Sequence, residues 1–474
     1  MSTTIGGVRI ADMPDLGAVN DSSSVVGERA GSGRFAATQF RDYTNMVTAT
    51  GSTTPRSNAD RWSTIANVLD YGAIGDNVHD DTAAFQAAIA TGKRVYMPRP
   101  PVAFRITNAI NCTTPGQVIE GDGKGVTIIA IPSSFNLSAQ GVFVCPGGPW
   151  VPGPQFRDFQ INFAQPDTTD TSALVHYPAA FYCQSVARAT WHRIKINAAM
   201  VGIDLRLNAA GASIVDCELC CFDWHIYLDG EADSITVQSC RFEPDLLTAN
   251  QTTIYHGAAR GILSGRCDDL HVIGCLFYCS LGIQLIVSAD GTSSTIGNVT
   301  NCDFDTYAGI NIAAGNLEVS GCDFTMGAST GYAVEMAGGN LSMSACWFLA
   351  TVTLAGGMIQ TSASVGITLQ ISASRFDMAA STNHSAVASF TNGIVILNGC
   401  HFNMPQTTRT LAAVSITDAV LLTMNGCRFT PKGAASGAVL SVSLDGAHNV
   451  CGNVFGGWAA SIPGTTRVFA NNVA

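Results

Sequence analysis

An all-β solenoid, a parallel β-helix, is the fold this sequence predicts, and three observations predict it. The first is a recurring small–Cys–variable–Phe unit. Its clear copies are Ser239-Cys240-Arg241-Phe242, Gly274-Cys275-Leu276-Phe277, Asn301-Cys302-Asp303-Phe304, Gly321-Cys322-Asp323-Phe324, Ala345-Cys346-Trp347-Phe348, Gly399-Cys400-His401-Phe402 and Gly426-Cys427-Arg428-Phe429. Asp216-Cys217-Glu218-Leu219 and Ala373-Ser374-Arg375-Phe376 are weaker copies, and Val450-Cys451 closes the series. The second observation is the period. Anchors at 217, 240, 275, 302, 322, 346, 374, 400, 427 and 451 stand 20 to 35 residues apart, which suits a solenoid coil and is too short for propeller blades of about 40–50 residues. The third is alternation. Cys and Phe two apart, around an unconstrained residue, have the period of a strand with one buried face. A second alternating segment accompanies each anchor, as in Gly282-Ile283-Gln284-Leu285, Gly309-Ile310-Asn311-Ile312 and Ala333-Val334-Glu335-Met336. Two or three short strands per coil, with no room between them for a ten-residue helix, give rungs stacked about 4.8 Å apart.

Residues 1–47 differ in kind from the repeat. Val8-Arg9-Ile10-Ala11-Asp12-Met13-Pro14, then Ser24-Val25-Val26, then Ala37-Thr38-Gln39-Phe40 read as a short strand, a polar loop and a helix starting near Ala37. This stretch resembles the short N-terminal module of phage tail fibres and tailspikes. The resemblance implies a virion-attachment module that binds phage tail or baseplate proteins, on a particle assembled in the host cytoplasm. Residues 48–62, rich in Ser, Thr and Asn, read as a linker.

Residues 63–115 are expected to hold a capping helix and the first coils. The run Asn67-Val68-Leu69-Asp70-Tyr71-Gly72-Ala73-Ile74-Gly75-Asp76 leads through Asp80-Asp81-Thr82 into Ala84, Phe85, Ala88 and Ile89. Gly72 and Gly75 permit turns, and Asp80 or Asp81 caps a helix beginning near Thr82. That helix would lie across the open end of the solenoid and blunt its first edge. The run resembles the opening signature of the pectate-lyase-like, right-handed parallel β-helix family shared by tailspikes and polysaccharide depolymerases. Its aspartates, Asp70, Asp76, Asp80 and Asp81, are read as caps and turn formers. The β-helix is expected over 116–455, with 456–474 as an end segment. Gly121 to Gly125 lacks the ending of a phosphate-binding loop and reads as a coil corner. Phe159 and Ile194 align with the Cys positions of later coils.

Composition narrows the function. A net charge of −11 with 12 % charged residues provides no basic stripe for nucleic acid. No run of 18 apolar residues is present to span a membrane, and the N-terminus lacks a secretion signal. The 16 cysteines read as a ladder of small buried free thiols, not as a disulfide framework. Cys217-x-x-Cys220-Cys221 lacks partners for a four-ligand site, so neither a metal nor a cofactor is expected.

The family resemblance implies a virion tailspike that binds a bacterial surface polysaccharide and depolymerises it by glycoside hydrolysis or β-elimination. The alternative is a non-enzymatic receptor-binding or structural tail protein with the β-helix as a stalk. A secreted bacterial enzyme is disfavoured by the missing signal. The large C-terminal domain of many tailspikes is not expected, because about 20 residues follow the last recognised coil. A homotrimer is implied by the resemblance and by the outward apolar residues Leu276, Trp347 and Leu349. The resemblance carries no catalytic residues, so candidates come from outward positions. The middle residues of the repeat form one column, and the residues two further on form a second. Asp303, Asp323 and Asp305 meet there as catalytic candidates. Tyr278 and Trp347 would stack on sugar rings, while Arg375 and His401 would hold an anionic sugar or supply a base. Asp229, Glu231 and Glu335 mark a competing groove.

Overall fold

In the computed structural model the described residues are 62–352 apart from 208, 231, 292 and 293. Before them lie short strands and turns, and after them the rungs of the repeat without several of their connections. The chain divides into two units, Met1–Ala66 and Asn67–Ala474.

In the first unit, Thr4–Ile5 pairs antiparallel with Val8–Arg9, and Ser24–Val26 with Arg34–Ala36. Val25 and Val26 therefore lie on a strand, while the helix expected from Ala37 lies outside the described residues. Met46–Thr48 pairs with Pro55–Ser57, so a hairpin arm occupies part of the stretch read as linker. Gly51, at φ 83°, supplies the left-handed turn such a hairpin uses.

The second unit is the β-helix. From Ser213 to Val442 the coils contribute strands to three parallel sheets, as the coil of Asn316–Ser320, Asp323–Met326 and Tyr332–Met336 shows, whereas in the coils before them a single long strand such as Thr190–Ala199 serves the first two sheets. Each strand of the 316–336 coil pairs in register with its counterparts in the coils before and after. The corner between the first and second sheets explains the repeat unit. The small residue before each anchor is left-handed, with φ 53° at Asn301, 62° at Gly321, 53° at Ala345, 46° at Ala373 and 61° at Gly399. The following Cys thus sits in the corner itself and not on the strand that carries the Phe, although both side chains point inward. That is a departure from the alternating-strand reading. Its cause is steric, since a left-handed residue favours the smallest side chains and Asn.

Buried in the corner, the anchor must satisfy backbone groups of its neighbours. Cys302 Sγ accepts the Cys275 N–H at 3.4 Å, and Cys322 Sγ accepts that of Cys302 at 3.4 Å. Where Cys is replaced, an acceptor remains: Ser374 Oγ takes the Cys346 N–H at 3.1 Å, and Asn453 Oδ1 takes the Cys427 N–H at 2.8 Å. The last anchor is accordingly Asn453, preceded by left-handed Gly452, and the assignment of Cys451 is corrected. Cys451 pairs with Asn425 on the first sheet, because an acceptor in the corner, not sulfur as such, defines the position.

Inside, eight phenylalanines from Phe242 to Phe429 stack face to face at 4.5–5.1 Å between centroids. Gly282 and Gly309 face this stack. A Cβ there would fall 2.7 Å from the Phe304 ring and 2.9 Å from that of Phe324, so in these two coils the third sheet approaches the rings without a side chain between.

Two α-helices are found among the described residues of this unit. Thr82–Ala90 (α1) buries Ala84, Phe85, Ala88 and Ile89, as its pattern predicts. Asp80 Oδ1 accepts the Thr82 N–H at 3.0 Å, while Asp81 instead ties down Ile74, Gly75 and Arg105 through their N–H groups. Ala249–Ala258 (α2) was not anticipated. It occupies the longest step of the repeat, opens on a Thr248–Gln251 capping box and buries Tyr255, whose hydroxyl donates to His225 Nε2 at 3.0 Å. His225 Nδ1 donates to the Arg260 carbonyl, and burial holds this imidazole down at about 4.

All sixteen cysteines are free, and every one except Cys451 is buried. A thiol reagent is expected to label about one cysteine rapidly in the native protein and the remainder only in denaturant. Ser374→Ala is expected to cost about 1–3 kcal/mol in urea unfolding, because it strands a buried N–H, whereas Ser374→Cys keeps the acceptor.

Candidate functional site

The outward column forms as its spacing predicts. On the second sheet, Glu218, Arg241, Leu276, Asp303, Asp323, Trp347, Arg375, His401 and Arg428 are consecutive register partners. Asp305, Thr325, Leu349, Asp377, Asn403 and Thr430 form the adjacent column. In-register stacking brings Asp303 and Asp323 face to face across one rung, with Asp305 two residues along the same strand. All three are exposed. Burial, then Asp323, then Asp305 push the Asp303 carboxyl above its ordinary range, the arrangement that leaves an acid beside a base.

Aromatic side chains border the carboxylates. Tyr278 is 40 % exposed and Trp347 42 %. The Tyr278 ring lies 4.8 Å from that of His256 on α2, so the helix walls one side. Trp347 is fixed at its edge, where Nε1 donates to Asp377 Oδ2 at 2.7 Å. Asp377 also takes the Arg375 Nε–H at 3.0 Å. His401 Nε2 lies 2.9 Å from Thr430 Oγ1. Burial, Arg428 and Arg375 hold its imidazole below the ordinary range.

On the Tyr278 side of the carboxylates, a groove of about 450 Å³ is lined by Glu218, Arg241, Glu243, Pro244, Asp245 and Tyr278. Its charges are mutually engaged. Glu218 sits between Lys124 and Lys195 at 3.0 and 3.1 Å, Lys195 also meets Asp245, and Arg241 is bidentate on Glu243.

Two residues escaped the sequence reading. Tyr307, 44 % exposed, continues the outward series Asp303, Asp305, Tyr307 and was recoverable from that alternation. His256 sits on the unanticipated α2, and no repeat position signals it. Leu276 and Leu349 are half-buried within their columns, so of the three apolar residues expected outside only Trp347 is exposed. The competing carboxylates belong to the third sheet. Asp229 is nearly buried and accepts the Gly230 N–H at 2.8 Å, Glu335 takes the Asn311 amide at 2.8 Å, and Glu231 lies outside the described residues.

With this geometry in place, comparison with known proteins is informative. The profile of the rhamnogalacturonase A/epimerase, pectate lyase-like family matches residues 65–169, the stretch that contains α1 and the first coils. The unit from Asn67 onward is a parallel β-helix, and the family match covers its first part. A mannuronan C5-epimerase of Azotobacter vinelandii is 32 % identical over 115 residues, which is 22 % of this chain and 13 % of that enzyme. Among solved structures, pre-mature gene product 12 of bacteriophage phi29 superposes with a TM-score of 0.57 at 13 % identity, over 84 % of this chain and 57 % of that one. The tailspike of E. coli bacteriophage HK620 gives 0.55 at 12 % identity, over 84 % and 81 %. That of Pseudomonas phage phi297 gives 0.53 at 12 % identity, over 77 % and 80 %. At these identities the structures share the fold of the β-helix.

The raised Asp303 carboxyl has a sign that can be measured. The folded state favours its neutral form, a contribution present below the ordinary Asp range and lost as pH rises through the raised value. Asp303→Asn is therefore expected to melt higher than the parent at pH 7, with the gap closing at about pH 3.

Proposed function

We propose that this protein is a phage tailspike component that binds a bacterial surface polysaccharide and cleaves it on the outward face of the second sheet. The observation that carries the reading is the Asp303, Asp305 and Asp323 cluster: three exposed carboxylates, none with an ion-pair partner among the described residues, set between exposed aromatics. Sugars present apolar faces to rings and hydroxyls to carboxylates, so Tyr278, Tyr307 and Trp347 would position a glycan across the acids. In hydrolysis, Asp303, with its raised carboxyl, gives its proton to the glycosidic oxygen as the anomeric C–O bond breaks. Asp323 takes a proton from the water whose hydroxyl bonds to the anomeric carbon, and the leaving sugar departs with its new hydroxyl. The tailspike folds of the neighbours and the polysaccharide-acting epimerase among the relatives support this substrate class.

Residues 1–47 would attach the protein to phage tail or baseplate proteins after assembly in the host cytoplasm, and the acting form would be a homotrimer. Light scattering is expected to give about three times the 49.5 kDa chain mass; a single-chain mass would end the trimer assignment.

Purified protein incubated with a panel of bacterial capsular and O-antigen polysaccharides is expected to generate new reducing ends from at least one. Asp303→Asn and Asp323→Asn, each checked for assembly, should lower kcat by about 100-fold or more. Trp347→Ala and Tyr307→Ala should act mainly on KM. Binding without reducing ends, or unchanged turnover in both aspartate variants, would replace this reading with a receptor-binding stalk or with another site.

A further inference from the structure

The outward face of the second sheet changes sign along the helix axis. At the coils of Asp303 and Asp323 it is negative, and the column neighbours on either side are Leu276 and Trp347, which carry no charge. The nearest column cations are Arg241, clamped by Glu243, and Arg375, clamped by Asp377. Further on, the face turns positive. Arg375, His401 and Arg428 are register partners in three consecutive coils, and Arg428 is exposed with no ion-pair partner among the described residues. The adjacent column offers them one carboxylate, Asp377, already shared between Arg375 and the Trp347 indole. Beyond it stand Asn403 and Thr430, both uncharged. On a chain of net charge −11, Arg428 thus carries a positive charge that no carboxylate of these two columns offsets.

We infer that this face reads a heteropolysaccharide by its charge pattern: a neutral sugar at the Asp303 and Asp323 coils, and an anionic substituent, carboxylate or phosphate, at Arg375, His401 and Arg428. The inference rests on the cleavage face proposed above and deepens it. From Asp323 the positions of Arg375, His401 and Arg428 are two, three and four coils away, about 10–19 Å at the rung spacing of a parallel sheet, a span of a few sugar units along the axis. Arginine presents a planar fork that matches carboxylate and phosphate oxygens. The negative coils also select the reaction. Elimination needs a uronate at the cleaved bond, with its carboxylate neutralised so that the neighbouring C–H becomes acidic. Three carboxylates without a cation oppose that, whereas hydrolysis of a neutral glycoside needs only the acid and the base.

The test uses the full chain with two probes that differ only in charge: galacturonate oligomers, and the same oligomers carboxyl-reduced to galactose. Affinity electrophoresis is expected to show the charged oligomer bound at least about tenfold more tightly at low salt, with the preference shrinking as salt screens it. Arg428→Gln combined with His401→Gln should abolish the preference. Equal binding of the two oligomers, binding of neither, or a preference unchanged in the double variant would overturn the anion site. An unsaturated uronic product from any cleaved polysaccharide would overturn the neutral-sugar assignment. A charge preference with no turnover on any polysaccharide would leave the anion site standing while the cleavage reading falls.

Discussion

The corner between the first and second sheets is the constraint on which the rest of the β-helix depends. Turning the chain there requires one left-handed residue, and it leaves the next N–H pointing along the axis into a space that water cannot enter. An unpaired buried N–H is costly, and at Cys275, Cys302, Cys346 and Cys427 the following coil presents the acceptor. Cys, Ser and Asn all meet that demand at this position. The acceptor and the left-handed residue together set the register, because a slip by one residue would bury the outward column and expose the phenylalanines. The face-to-face ring stack and the glycines that let the third sheet approach it follow from that register.

The candidate site is a consequence of the same constraint. Once coils are locked in register, residues far apart in sequence become neighbours without any dedicated loop to position them. Asp303 and Asp323 are brought together across a single rung. Their mutual repulsion persists because inward packing holds both backbones in place. Rigid elements of this kind hold side chains more closely than loops do. The engaged ion pairs around Glu218 and the unengaged carboxylates at Asp303 therefore differ in their surroundings, although they share one sheet and one column.

The fold was legible because a strand's period of two and a coil's period near 25 both survive in the residue pattern. The outward columns could be listed correctly from that pattern, down to Arg428. What the pattern hid was conformation. The small residue before Cys is a backbone requirement expressed as size, and read as mere spacing it put the Cys on the wrong element. The same oversight favoured Cys451 over Asn453, since sulfur was counted and hydrogen-bond acceptance was not. Helix α2 was missed because it lies outside the repeat, in a step of 35 residues whose excess length was visible but not interpreted. His256, which approaches Tyr278, went unseen with it.

That excess length has a wider meaning. The coil demands little of the segment that joins its second and third sheets, so residues can be inserted there while the corner and the ring stack stay as they are. Helix α2 is such an insertion, anchored by Tyr255 reaching the buried imidazole of His225 and by Gln251 donating to the Gln165 and Pro166 carbonyls. Its outer surface is free to vary while those anchors are kept. Diversity at the mouth of the groove can thus arise from short grafts at one edge of an unchanging scaffold, a route by which a lineage could follow a shifting chemical target without relearning how to fold.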